Sequence, residues 1–304
     1  MMLSALNFTG LLREVRYVYG LSRCKIYQKL NIRLSSTLSF TSYSESNDTT
    51  SKNPIIILHG LFGSKTNWNS LSKILSTNGR RVIAVDARNH GSSFHKASMT
   101  YEEMSDDLVQ LMSSLKIPEA VIIGHSMGGK TAMITALQHP EIISSLIVVD
   151  VAPSVSPSVD VFPFYATAMK NVSIDPAMNI VQARKSVSDQ LQPVLKDTTL
   201  RQFILTNLVE KEGTVQWRLN LDAIITDFKE IMAFPECGNS YQGPTLFLGG
   251  QNSNYIGKPE EPEIQRLFPN AKIQHVPNAG HWLHSEKPKE FLAAVNSFLE
   301  TLQN

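Results

Sequence analysis

Four-residue blocks of apolar, mostly β-branched residues recur along the chain, separated by stretches whose apolar positions fall three and four apart. The blocks are Ile55–Leu58, Val82–Val85, Ala120–Ile123, Leu146–Val149 and Thr245–Leu248, followed by the mixed run Lys272–Val276. Most are apolar throughout rather than alternating, which predicts strands covered on both faces. The stretches between them predict helices. One spans Trp68–Leu75, one opens at Thr100, one runs from Met127 to His139 and is closed by Pro140, one lies near Glu263–Leu267, and the last starts at Lys289. Thr100 and Glu103 have capping-box spacing, and Met104, Leu108, Leu111, Met112 and Leu115 follow on one helical face. Strand–helix alternation of this kind predicts an α/β fold, a mostly parallel sheet flanked by helices.

Two segments break the alternation. Residues 154–233 carry helical patterns and no run that reads as a strand. They predict a helical cap inserted into a core made of residues 54–153 and 234–304. Within the cap, Phe162, Phe164, Tyr165, Met169 and Met178 either line a pocket beneath it or fasten it to the core. The second segment is amino-terminal. Residues 1–44 hold Arg13, Arg16, Arg23, Lys25, Lys29 and Arg33 against one acid, Glu14, and turn serine- and threonine-rich from Ser35. That is the composition of a mitochondrial transit peptide, so the expected location is the mitochondrion, in the matrix. Residues 45–53 read as a polar linker.

Composition narrows the function classes. A formal charge of +1 argues against a nucleic-acid-binding body. Two cysteines, Cys24 and Cys237, make no disulfide framework. No stretch approaches the roughly 18 uninterrupted apolar residues of a membrane span. The sequence carries no metal-ligand cluster, phosphate loop or cofactor fingerprint, and none of these groups is expected.

The chemistry concentrates at Gly124-His125-Ser126-Met127-Gly128. The pattern G-x-S-x-G means little alone, but here it follows a predicted strand and opens a predicted helix, the setting of a nucleophile elbow. A serine needs a base and a group to orient that base. His281, in Asn278-Ala279-Gly280-His281-Trp282 just past the last strand, is the candidate base. His284 is its near decoy, expected to be solvated. The acid is harder to place. The loop after Thr245–Leu248, its usual position, reads Gly249-Gly250-Gln251-Asn252-Ser253-Asn254-Tyr255 and has no carboxylate. Asp150 closes the strand after the nucleophile, and active sites gather at the carboxyl ends of such strands. It is the first candidate and Asp222 the second; weak support from Asn252 or a water is the third. His59-Gly60-Leu61-Phe62-Gly63 supplies an oxyanion turn, with the amides of Leu61 (or Phe62) and Met127 as donors. His59 and His125 are expected to shape the loops around the site, and Asp86 and Arg88 to pair and hold loops together.

These residues resemble a family. His59-Gly60-Leu61-Phe62-Gly63-Ser64, Asp86-Ala87-Arg88-Asn89-His90-Gly91, Gly124-His125-Ser126-Met127-Gly128-Gly129-Lys130 and Pro277-Asn278-Ala279-Gly280-His281-Trp282 are similar to the alpha/beta-hydrolase domain-containing protein 11 family and its bacterial esterase relatives, over about residues 54–303. Lys130 after the glycine pair and the Asp-x-Arg-Asn-His-Gly run are more specific than the general hydrolase motifs. The resemblance implies an alpha/beta-hydrolase fold and a mitochondrial serine hydrolase acting on esters, with acylglycerols among its substrates. It also implies that the missing acid near Asn252 belongs to the group and that the strand-end acid matching Asp150 replaces it. Thioesterase action would use the same residues. A binding or chaperone-like protein on a hydrolase scaffold is the reading from a different class, and a mitochondrial protein partner is compatible with either.

Overall fold

The computed structural model describes residues 30–32, 37–44, 52–157 and 160–302. The strands among them are β1 Leu30–Ile32, β2 Phe40–Tyr43, β3 Ile55–Leu58, β4 Val82–Val85, β5 Ala120–His125, β6 Ile143–Val149, β7 Leu208–Lys211, β8 Thr214–Trp217, β9 Thr245–Gly250 and β10 Ala271–Val276. The helices are α1 Asn69–Ser76, α2 Tyr101–Ser114, α3 Met127–Gln138, α4 Phe162–Lys170, α5 Ile180–Leu191, α6 Thr198–Leu205, α7 Leu221–Thr226, α8 Phe228–Met232, α9 Glu261–Leu267, α10 Leu283–Glu286 and α11 Pro288–Thr301.

Eight strands form one sheet in the order β1-β2-β4-β3-β5-β6-β9-β10. From β4 to β10 every neighbour is parallel, while β1 and β2 join antiparallel at one edge. Along β3 the side chains part by twos, as the pleat requires. Ile55 and Ile57 enter the cluster containing Leu71 and Leu75 of α1 and Phe291 and Val295 of α11. Ile56 and Leu58 enter the cluster containing Leu108 and Leu111 of α2 and Met133 of α3. Both faces are therefore covered, which is why these strands read as unbroken apolar runs. The predicted cap on α2 is present, with Glu103 N–H donating to Thr100 Oγ1 and Thr100 N–H to Glu103 Oε2.

The chain departs from the sheet after β6 and returns at β9. The excursion holds α4 to α8, as the helical pattern predicts, and also the hairpin β7–β8, which the pattern missed. Its turn residues Glu212 and Gly213 both have positive φ (53° and 78°), the twist a two-residue hairpin turn requires. The signal was a Glu-Gly pair between runs too short and too charged to stand out.

A second correction concerns the amino-terminal boundary. Phe40, Thr41, Ser42 and Tyr43 are buried in β2, inside the span assigned to the leader. The folded body therefore begins before residue 54 and includes residues 40–43. Residues 1–29 and 33–36 lie outside the described residues, as does most of the linker, 45–51. Among the described residues no helix is long and apolar enough to cross a membrane.

Candidate active site

Ser126 sits between the end of β5 and the start of α3 with φ 52° and ψ −116°, a conformation that costs a non-glycine residue about 1–3 kcal/mol. The surroundings enforce it. A Cβ on Gly124 would lie 2.2 Å from Gly128 O, and one on Gly128 would lie 2.5 Å from Leu58 O. Only glycine at both places lets the chain reverse this tightly against β3.

His281 follows β10 and lines the same pocket as Ser126. Its Nδ1 is 2.7 Å from Asp150 Oδ2. Asp150 is fully buried one residue past β6, with φ 49° turning its carboxylate toward β9. Gly250 N–H donates to Asp150 Oδ1 at 2.8 Å, and Ser253 Oγ donates to Oδ2, the oxygen that also receives His281. The loop where an acid was expected thus supplies donors to a carboxylate one strand away. A charge in this position is held by hydrogen bonds as well as by the imidazole it faces. Asp222 is elsewhere. It lies in the first turn of α7 with its side chain 74% exposed, ion-paired with Lys170, so the second candidate acid is excluded by position. Asn252 donates its backbone N–H to Ala279 O and only helps hold the loop.

In the oxyanion turn, Phe62 N–H donates to His90 Nε2 (3.2 Å) and Gly63 N–H to Gly60 O (2.9 Å), so both amides are engaged, and Leu61 lines the pocket. Met127 is the first residue of α3, so its N–H has no helical acceptor. His59 and His125 shape the loops as predicted. His59 Nε2 accepts from Ala87 N–H (3.0 Å), while its Nδ1 donates to Gly60 O (2.8 Å). His125 Nε2 donates to His281 O at 2.9 Å, tying the elbow to the histidine loop. Burial pushes both imidazoles below their ordinary range, and lowers His90 to about 3.

Two expectations need correction. His284 is not solvated. It is buried and stacked on Trp68 with ring centroids 4.3 Å apart, and burial first, then the nearby His281, lowers it to about 3. Asp86 and Arg88 do hold loops, but not as a pair. Asp86 binds the Lys65 ammonium and accepts from the Lys65 and Ser92 amides, whereas Arg88 grips Asp107 with two nitrogens (2.6 and 2.9 Å) and also meets Glu103. Of the five insertion side chains expected either to line the pocket or to fasten the insertion, Phe162 lines it. Tyr165 packs edge-on behind Phe162, Met169 is buried in the insertion, Met178 packs against the core, and Phe164 is 67% exposed. Ser156, Leu200, Phe203, Ile231 and Met232 supply the rest of the insertion's share of the wall. The sequence shows helical patterns across 154–233 but not which faces turn inward. Tyr255 stacks on His281 with ring centroids 4.0 Å apart and lines the same pocket.

Ser126, the carboxylate-bound His281, Leu61 and Met127 therefore line one pocket. The family profile described as alpha/beta hydrolase fold matches residues 53–178. The chain is 52% identical to the mouse protein named sn-1-specific diacylglycerol lipase ABHD11, over 81% of this chain and 80% of that one. It is 32% identical to Escherichia coli esterase YbfF, over 89% and 99% of the two chains. A solved structure titled marine microorganism esterase superposes with a TM-score of 0.80 at 38% identity, covering 87% of this chain and all of that one. The chain belongs to the ABHD11 family of alpha/beta hydrolases.

Proposed function

We propose that this protein is a serine-dependent carboxylic ester hydrolase acting on acylglycerols, with diacylglycerol as the leading substrate. The observation that carries the chemistry is the 2.7 Å contact between His281 Nδ1 and the buried Asp150 carboxylate, in the pocket that holds Ser126. The substrate class is supported by the mouse relative's name and by the apolar wall of Phe162, Leu200, Phe203 and Ile231.

Ser126 Oγ attacks the ester carbonyl while His281 Nε2 takes its proton. The carbonyl oxygen becomes an oxyanion between the Leu61 and Met127 amides, where fixed dipoles stabilise charge without reorganising. Asp150 keeps Nδ1 protonated and balances the imidazolium. His281 then returns the proton to the departing glycerol oxygen, leaving an acyl-serine. A water, deprotonated by the same imidazole, releases the fatty acid and restores the serine hydroxyl.

The test is hydrolysis of p-nitrophenyl esters and of dispersed diacylglycerol by the wild type beside Ser126→Ala. Turnover of both substrates that disappears in the variant is expected. Turnover that persists in the variant rejects the mechanism, and turnover of p-nitrophenyl esters alone rejects the acylglycerol assignment. We also propose a mitochondrial address, supported by the basic, acid-poor composition of residues 1–44. Retention of a fluorescent fusion outside mitochondria would reject it.

A further inference from the structure

Lys130 stands out in the sequence and has no part in the chemistry above. It lies one turn into α3, the helix headed by Ser126, and is 1% exposed. Its ammonium donates to Ser156 Oγ at 2.9 Å, to Met232 O at 2.8 Å and to Ala233 O at 2.8 Å. Burial lowers the pKa of this amine to about 7, and when protonated the amine has a donor for each of these three acceptors. No carboxylate shares it among the described residues. The acceptors come from the two ends of the insertion: Ser156 where the chain leaves β6, Met232 and Ala233 where it returns from α8. The ends are also bonded to each other, Ser156 N–H donating to Met232 O at 2.8 Å. Ser156 and Met232 both line the active-site pocket.

The glycine pair explains why a lysine fits here. A Cβ on Gly128 or Gly129 would strike Leu58 O or Val151 Cγ1, so α3 lies directly against the strands. The next residue of the helix reaches under the crossing of the insertion's two ends. A methionine there would fill similar space but take the donor from Ser156 Oγ and Ala233 O, while Met232 O would keep only the Ser156 N–H. Buried polar groups left without partners are destabilising, because they lose water and gain nothing in return.

We propose that Lys130 is a positioning residue that pins both ends of the insertion to the nucleophile helix and so fixes the pocket wall that selects the acyl group. It touches no reacting atom. It acts through Ser156 and Met232, and its specificity role rests on the hydrolase reading. Tyr101 holds the returning end a second time, donating its hydroxyl to Ile231 O, so the leading end around Ser156 and α4 depends on the pin more.

The experiment compares wild type, Lys130→Met and Ser156→Ala, the last removing one acceptor without burying a charge. Hydrogen exchange needs no substrate. Both variants are expected to raise exchange at residues 154–157 and in α4 at least tenfold, and less in α8, with α2 unchanged. On p-nitrophenyl esters, kcat of Lys130→Met for the acetate stays within about threefold of wild type. The ratio of kcat/KM for octanoate to that for acetate moves at least tenfold toward unity in Lys130→Met, and less in Ser156→Ala. Unchanged exchange at 154–157 in folded Ser156→Ala and Lys130→Met overturns the pin. Raised exchange with an unchanged acyl profile overturns its role in selection. If Lys130→Met does not fold, Ser156→Ala decides both questions. Wild type that hydrolyses no ester rejects the hydrolase reading, and the exchange result then stands by itself.

Discussion

The core loops and the insertion meet at one pocket but are built on different terms. The core places its groups with strained or fully buried backbone: Ser126 and Asp150 at positive φ, each at the end of a strand whose neighbours are paired on both sides. The insertion contributes apolar side chains from short helices, held to the core through Lys130, Tyr101 and the Asn220 N–H bond to Asn89 O. Strand ends fix atoms to within fractions of an ångström, which proton transfer requires. Helices that present only apolar wall need to be right in shape rather than in atomic position. Changes in the core should therefore alter kcat by orders of magnitude, and changes in the insertion should alter KM by factors.

The largest effect is expected at Ser126→Ala, with loss of kcat on the order of a millionfold. Asp150→Asn comes next. It keeps the shape and the Gly250 and Ser253 donors but removes the charge that balances the imidazolium, and about 10⁴-fold in kcat should go while KM stays. A loss below tenfold in steady-state kinetics would mean that the strand end does not carry the acid, and the division between the regions would fail at its strongest point.

Acid provides a third handle, because all eight histidines lie in the core and none between 154 and 233. His90 and His284 are held at about 3 by burial, so they stay neutral in the fold. The unfolded chain protonates them below about 6.5. The unfolded state thus binds more protons, and stability that is complete above about pH 6.5 declines toward pH 3. Between pH 7 and 5 each ring should contribute about 2 kcal/mol to the loss, read from urea melts. Exchange during the same titration should show the core and insertion failing together; an insertion that melts first while the core holds would break the link to the histidines. Below this in size comes Phe162→Ala, which removes one wall of the pocket. It should raise KM for long-chain esters about tenfold, with kcat within threefold, as expected for about 1–2 kcal/mol of apolar contact.

The same contrast decides what could be read from the sequence. β3 to β6 announce themselves through the runs Ile55–Leu58, Val82–Val85, Ala120–Ile123 and Leu146–Val149, where burial on both faces leaves no polar residue. Asp150 was reached by strand-end logic, since a sheet that gathers its site at one edge leaves few carboxylates there. β2 was lost to the leader because three of the four side chains of Phe40-Thr41-Ser42-Tyr43 carry hydroxyls, and its burial comes from pairing with β4 that composition does not reveal. His284 was misplaced for a similar reason: a ring two residues past a loop looks solvated until Trp68 is known to lie against it. In the insertion the helices were legible from their period, but which faces turn inward depends on how the segment folds back. Phe162 and Phe164 are indistinguishable as letters, and only the first lines the pocket.

The smallest predicted effect is the sharpest test of the comparison. Asp222 is a carboxylate in the insertion, and order along the chain alone would have let it serve as the acid. Its side chain is exposed and paired with Lys170, itself half exposed. Exposed pairs contribute about 0–1 kcal/mol, because water competes for both charges and two flexible side chains must be fixed. Asp222→Asn should therefore leave kcat and KM within twofold and lower stability by no more than about 0.5 kcal/mol. The double variant Asp150→Asn with Asp222→Asn should be no slower than Asp150→Asn alone. If the second substitution costs a further tenfold, Asp222 reaches the imidazole when Asp150 is neutralised. The insertion would then supply charge to the reaction as well as wall to the pocket.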